Sequence, residues 1–283
     1  MIFPFRKKQK ARRESFDSAA KLAYRAVAVT DVGSVRESNE DNLVFIRPFD
    51  SNIRASHGCL AIVADGMGGH KSGEVASKMA VDIISRDYFD TDYHILEALK
   101  RAFDKANKSI FQKASRKASL KGMGTTCTAA VLLGDRIFLG HVGDSRAYLL
   151  KGDTLHQLTH DHTYVQHLID TGEITHKESL THPQRNVITQ AMGTTPKLRA
   201  DFILHELCLQ EGDKLLLCSD GLYEYFRPDE LGHLLRTRDL SDSAHEMIAL
   251  SKQRGGHDNI SVLLVETLQE DSNQSSKKTQ EFS

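Results

Sequence analysis

LAIVADGMGGHKSGEVASKMAVDII, residues 60–84, decides the architecture. A run containing β-branched Ile62 and Val63 stops at Asp65, and three glycines follow closely: Gly66, Gly68 and Gly69. After Gly73 the apolar spacing becomes helical, with Val75, Ala76, Met79, Ala80, Ile83 and Ile84 on one face. The stretch therefore predicts a buried strand, a tight glycine turn, and a helix packing back on the strand. A carboxylate at the end of a buried strand is costly without a positive partner. What neutralises Asp65 is the question for the rest of the chain.

Outward from this stretch, 283 residues, 40% hydrophobic and 27% charged, suit one large globular domain or two small ones and can bury a substantial core. A net charge of −1 excludes a nucleic-acid or membrane surface covering the whole molecule, so any charged site is local. Cys59, Cys127, Cys208 and Cys218 are widely spaced with no C-x-x-C, and read as reduced core thiols of a cytosolic protein. No apolar run approaches the roughly 20 residues of a membrane helix. Residues 1–22, centred on RKKQKARR, read as a disordered basic tail, with weak attachment to an anionic surface or partner as a second reading. Residues 269–283 lack apolar content and read as a second disordered tail, which leaves 23–268 as the folded domain.

Within that domain, strands are expected at 24–30, 43–47, 59–64, 126–133, 136–142, 146–151, 203–207, 214–219 and 260–266. Gly134-Asp135 and Gly152-Asp153 are hairpin dipeptides. A helix follows the glycine turn, and a second covers 93–117 with Ile95, Leu99, Phe103, Ala106 and Ile110 on one stripe. Two more are expected at 228–236 and 241–254. Strands joined by hairpins, with helices gathered in pairs, indicate an α+β fold of antiparallel sheets covered by helices, not alternating βαβ units. Residues 159–192, rich in His and Thr with one short helix near 163–170, read as a surface insertion over or beside a site.

Acidic residues recur just beyond predicted strands: Asp41 in RESNEDN, Asp65 in ADGMGG, Asp144 in VGDSR, Asp220 in CSDGL and Asp258 in GGHDNIS. Any one of them is ordinary turn chemistry. Five at sheet ends, brought together, would repel unless cations lay between them. Oxygen ligands without Cys or His select hard divalent ions, Mg²⁺ or Mn²⁺ rather than zinc, and several aspartates suit a two-metal centre. Gly66, lacking a side chain, can bring its carbonyl close to an ion. Arg36, one turn upstream of Glu40 and Asp41, carries a fork suited to phosphate.

Six stretches in order carry a resemblance: TDVGSVRESNEDN, AIVADGMGGHKSGEVAS, GTTCTAAVLLGDRIFLGHVGDSRAYLL, HPQRNVITQAMG, KLLLCSDGL and GGHDNISVLLVE. The chain resembles the protein phosphatase 2C (metal-dependent protein phosphatase) family, most closely its compact bacterial members. The resemblance implies a four-layer α-β-β-α sandwich of two antiparallel sheets flanked by helix pairs. It implies phosphoserine/phosphothreonine hydrolysis by direct attack of a metal-bridging hydroxide on two Mn²⁺ or Mg²⁺ ions. Residue by residue, Asp65 would bridge the ions with the Gly66 carbonyl on one of them, and Asp220 and Asp258 would hold the other. Glu40 and Asp41 would bind metal waters and orient the attacking one, Arg36 would hold the phosphate, and Asp144 with Asp220 would supply a weaker third-ion site. Asn259 would support Asp258, Thr125 and Thr126 would be structural, and 159–192 would be the family's flap. The implied partners are phosphoproteins and an opposing bacterial Ser/Thr kinase, for a cytoplasmic monomer.

One departure stands inside the glycine turn. Animal members carry a histidine two residues after the bridging aspartate as the proposed general acid, and Met67 occupies that position here. A metal-bound water is the preferred proton donor, with His70 a second candidate. Four rival readings remain. A dinucleotide site would require glycine at Lys71. A transition-metal site at His160–His162, with His156 and His167, lacks a clean ligand spacing. A pseudophosphatase binding phosphopeptides would be expected to lose a core aspartate, and none is lost. A two-metal hydrolase of nucleotides or sugar phosphates would use the same chemistry.

Overall fold

The computed structural model describes residues 22–68 and 72–270. The basic tail, His70 and the C-terminal tail therefore lie outside the described residues, except for Leu22, Gln269 and Glu270, which fall inside them. Strand β1 (Leu22–Asp31) leads to β2 (Asn42–Ile46), then helix α1 (Ser51–His57) and β3 (Cys59–Ala64). The glycine turn holds β4 (Gly66–Met67), and α2 (Ser72–Phe89) and α3 (Ile95–Arg116) follow. Five strands come next: β5 (Gly124–Thr125), β6 (Cys127–Leu133), β7 (Arg136–Val142), β8 (Arg146–Lys151) and β9 (Thr154–Gln157). The insertion carries α4 (Tyr164–Asp170) and α5 (His176–Ser179). The chain continues through β10 (Asp201–Leu204), β11 (Lys214–Cys218) and α6 (Asp220–Tyr223), then α7 (Pro228–Thr237), α8 (Leu240–Gln253) and β12 (Ile260–Gln269).

Ten of these strands make two five-stranded sheets, β1-β12-β11-β8-β9 and β10-β7-β6-β3-β2, and β4 pairs with β5 alone; all the pairs are antiparallel. Successive side chains on a strand point to opposite faces, and β3 shows what each face meets. Leu60, Ile62 and Ala64 pack under α2 and α3 with Ile84, Leu99, Phe103 and Ile110. Ala61 and Val63 turn the other way and meet Leu149, Leu217 and Leu263 of the second sheet. In β12, Leu263 and Val265 face the first sheet, while Val262 and Leu264 face Leu234, Leu235 and Met247 of α7 and α8. Both faces of the central strands are thus buried, which is why they read as unbroken apolar runs rather than alternating ones. The layers are helix pair, sheet, sheet, helix pair, as expected from the resemblance.

The differences from the sequence reading have physical causes. Helix α1 buries no residue and is held by its Asp50 cap, so it has no apolar stripe to betray it. Strand β9 has four residues and only partial burial, too short for a periodic signal. The strand expected at 203–207 is Asp201–Leu204, on the sheet edge, with Ile203 and Leu204 about 40% exposed. Leu207 and Leu209 instead reach the inter-sheet core from a loop, the latter by an N–H donated to the Asp135 carbonyl (2.7 Å). Cys59, Cys127 and Cys218 are buried free thiols and Cys208 is half-buried. Among the described residues, no helix is long and apolar enough to cross a membrane.

Candidate metal centre

Antiparallel register delivers the carboxylates to one place. Asn42 at the start of β2 pairs with Ala64 at the end of β3, so the preceding Asp41 and the following Asp65 are neighbours. In the other sheet, Cys218 at the end of β11 pairs with both Val262 and Arg146. Asp220, just beyond β11, therefore lies near the entrances of β12 and β8, where Asp258 and Asp144 stand. The end of β1 pairs with the start of β12, Asp31 against Ile260, which brings the loop carrying Arg36 and Glu40 to the same edge. A cavity of about 430 Å³ opens there, lined by Arg36, Glu40, Asp65, Gly66, Asp220 and Asp258. Met67 lines it as well, and Asn186 and Ile188 of the 159–192 insertion close one wall.

The turn after β3 is braced from outside. The Asp65 N–H donates to Thr126 Oγ1 (3.0 Å), and its carbonyl accepts from Thr125 Oγ1 and the Thr126 N–H (2.8 Å each). The glycines have a steric purpose beyond the approach to an ion. A Cβ on Gly66 would lie 2.3 Å from the Gly73 carbonyl oxygen and 2.6 Å from that of Glu40. Gly66 also donates its N–H to the Glu40 carbonyl (3.2 Å), so strand, loop and helix meet backbone to backbone here.

Charge is the dominant feature. Burial, then the charges of Asp41, Asp220, Asp144 and Asp258 in that order, holds the Asp65 carboxyl well above the usual carboxylate range. Every other aspartate of the set acts on it. Asp220 is raised in the same way, by burial and then by Asp144 and Asp258. Burial pushes Asp41 up to about 6, against hydrogen bonds from Ser261 and Ser219, and pushes Asp144 up to about 7 with Asp161 adding. Burial raises Glu40 too, with Arg36 opposing. Arg36, a half-exposed guanidinium at the cavity, donates from Nη2 to Asp258 Oδ2 (2.7 Å), while Arg146 opposes the rise at Asp144.

The residues fit two hard cations. Asp41 Oδ1 and Asp220 Oδ1 are buried with no hydrogen-bond partner among the described residues, which is costly for an anionic oxygen unless a cation takes the lone pairs. The donors are all oxygens. Among the described residues no three His, Cys, Asp or Glu side chains close into a single ligand group. Glu40, Asp65, Asp220 and Asp258 instead line the cavity, a spacing that suits ions keeping several waters, as Mg²⁺ does, better than one caged ion.

Two supports went unrecognised or half-recognised in the sequence. Ser219, wholly buried, donates to Asp41 Oδ2 (2.8 Å) and accepts the Ser261 N–H (3.0 Å). Asn259 does support Asp258, through its backbone N–H (2.8 Å to Oδ1). Its side chain has a second role: it accepts the Glu40 N–H (2.8 Å) and donates to the Val32 and Ser38 carbonyls (3.0 Å each). It thus clamps the whole Arg36 loop. The only sequence signal was its place next to Asp258. The histidines at 160 and 162 serve as hydrogen-bonding groups: His160 meets Asp170 (2.8 Å), and His162 meets Asp201 (3.2 Å).

A sequence profile described as protein phosphatase 2C matches residues 38–268. The chain belongs to that family. It is 39% identical over 243 residues to a serine/threonine phosphatase stp of Listeria monocytogenes, covering 84% of this chain and 93% of the relative. The crystal structure of the Mycobacterium tuberculosis serine/threonine phosphatase PstP/Ppp superposes with a TM-score of 0.77 at 35% identity, covering 87% of this chain and 99% of that one. A structure of the PstP catalytic domain in complex with two manganese ions gives 0.75 at 34%, with the same coverage. The enzyme class is accordingly protein-serine/threonine phosphatase.

Proposed function

We propose that this phosphatase is metal-dependent and that residues 23–268 form its catalytic domain, with Asp65 as the ligand shared by two Mn²⁺ or Mg²⁺ ions. The observation that carries the reading is the position of Asp65, the buried carboxylate on which Asp41, Asp220, Asp144 and Asp258 all act. The Gly66 carbonyl would complete the hold on one ion, and Asp220 and Asp258 would hold the other. Asp144 with Asp220 would hold a weaker third. The two ions bound in the PstP catalytic domain support the count. When bound, the ions supply Lewis-acid polarisation of the phosphoryl group and lower the pKa of the attacking water toward about 7.

The chain's own part is positioning. Arg36 uses one nitrogen on Asp258 and lines the cavity, so its remaining donors would be free to grip the phosphoryl oxygens. Glu40 and Asp41 accept hydrogen bonds from waters and orient one of them in line with the seryl or threonyl oxygen. Met67 lines the cavity with no titratable proton, so that residue cannot protonate the leaving oxygen, and a water is the preferred donor. The substrates are phosphoproteins, and the place of action is the cytoplasm opposite a Ser/Thr kinase, with the protein acting as a monomer.

The test is manganese-dependent phosphate release from a phosphothreonine peptide. Asp65→Ala and Asp220→Ala are expected to lower kcat by at least a thousandfold, and a chelator to silence the wild type. Full activity in either variant would overturn the two-ion assignment. Tight phosphopeptide binding with no release under Mg²⁺ or Mn²⁺ would favour the pseudophosphatase reading instead.

A further inference from the structure

The HDH run at the root of the insertion is not consumed by the mechanism, yet two of its three side chains are buried while His160 is exposed. Asp161 and His162 are each 7% exposed. Both reach the turn between β7 and β8 that carries Asp144, and they take it from opposite sides. The His162 N–H donates to the Gly143 carbonyl (2.7 Å), while the Gly143 N–H donates back to His162 Nδ1 (3.2 Å). With Nδ1 accepting, Nε2 carries the proton and donates to Asp201 Oδ2 (3.2 Å). On the far side of the turn, Arg146 forks onto Asp161, Nε to Oδ1 at 3.0 Å and Nη2 to Oδ2 at 2.6 Å. The same guanidinium lies 3.7 Å from the ring centre of Tyr223 in α6, the helix that begins with Asp220.

Between these two grips sit Asp144 and Ser145, and Ser145 extends the connection. Its hydroxyl hydrogen-bonds Thr126 Oγ1 (2.6 Å), the atom that accepts the Asp65 N–H. Gly143 has φ +105, and a Cβ there would lie 2.6 Å from the Thr126 side chain, so the turn is pressed against the brace of Asp65. The root also supports the cavity wall. The Thr189 N–H donates to the His162 carbonyl (2.8 Å), the Tyr164 N–H to that of Val187 (2.8 Å), and Thr163 bridges Ile188. Ile188 and Asn186 are the wall residues.

We propose that Asp161 and His162 are positioning residues: by gripping Gly143 and Arg146 they set the Asp144 carboxylate against Asp220 and tie its place to that of the insertion. The proposal rests on Asp144 being a working carboxylate of the metal centre proposed above, where it acts on Asp220 and Asp65. A role in transition-metal binding is unnecessary, because each polar atom of the two side chains named here already has a partner.

His162→Asn and His162→Gln separate this from a merely structural role. Asparagine keeps an acceptor at the δ position for the Gly143 N–H, whereas glutamine moves its polar atoms one bond further, toward Asp201. The full chain is assayed with manganese and a phosphothreonine peptide, and amide hydrogen exchange at Gly143 is followed in the manganese-free protein. His162→Gln is expected to lower kcat at least tenfold with KM within twofold, and to speed Gly143 exchange at least tenfold. His162→Asn is expected to stay within threefold of wild type in both. Asp161→Asn, which keeps shape and weakens the fork, should lower kcat in the same sense. Equal behaviour of the Asn and Gln variants, or wild-type kcat in Asp161→Asn, would overturn the proposal. Absence of phosphate release by the wild type would instead count against the metal-dependent reading, and the exchange rates would still decide this one.

Discussion

Replacing Asp41 by asparagine should stabilise the metal-free protein, although it removes a carboxylate of the proposed metal centre. Asp41 is 5% exposed, and burial, with Asp258 adding, raises its pKa from 3.8 to about 6. A carboxylate whose folded pKa is raised binds protons more tightly in the native state than in the unfolded one. Its effect on stability is therefore nil below the unfolded value, and stability is lost as pH rises from about 4 to about 6. A shift of about two units at about 1.4 kcal/mol each gives a loss of about 3 kcal/mol, complete by pH 7. Asparagine retains an oxygen for the Ser219 hydroxyl and brings no charge to the buried carboxylate cluster.

The assay is urea unfolding in a chelator at several pH values, repeated with manganese. At pH 7.5 without metal the variant should be more stable than wild type by up to about 3 kcal/mol, and the gap should close toward pH 4. Manganese should close most of that gap, because a bound ion stabilises the wild type by about 2.7 kcal/mol at a hundred times its Kd and the weakened site gains less. An Asp41→Asn protein destabilised equally at pH 4 and pH 7.5 in chelator would refute the electrostatic account and leave Asp41 as a packing residue.

Gly66→Ala should cost about 3 kcal/mol or more in chemical denaturation, because the new Cβ meets backbone atoms of Gly73 and Glu40, which cannot swing aside. Arg36→Lys should raise KM for a phosphopeptide about tenfold, since a point charge cannot serve Asp258 and a phosphate together; an unchanged KM would sink the assigned role. Asn259→Ala removes one acceptor and two donors from the Arg36 loop. It should lower stability by about 3 kcal/mol in urea, at roughly 1 kcal/mol per hydrogen bond, and raise KM as that loop loosens.

The parts of the fold legible in the sequence are those whose burial is one-sided or complete over a long run. Residues 59–64 are buried on every side chain, and the stripe Ile95, Leu99, Phe103, Ala106 and Ile110 is the buried face of α3. Helix α1 and strand β9 bury too little to leave a pattern. Leu207 and Leu209 show the converse failure: apolar residues signal burial, but not whether a strand or a loop carries them there.

In the site, the aspartates were legible because each follows or precedes a strand, and antiparallel pairing sends such ends to a common edge. What one-dimensional spacing could not supply is which uncharged groups hold them. Ser219, Thr126 and Ser145 are ordinary buried hydroxyls by composition, and only pairing across 178, 61 and 19 residues reveals their partners. The same limit applies to His162, whose acidic and histidine neighbours suggest ligation until Gly143 is seen against its Nδ1. Charge at Asp65 is therefore governed at two levels. The surrounding carboxylates create a demand for cations, and a neutral hydrogen-bonded frame fixes where those carboxylates stand while the demand is met. Removing a carboxylate relieves the metal-free fold, whereas loosening the frame relieves nothing and only misplaces the charges, so the two classes of substitution should move stability and turnover in separable ways.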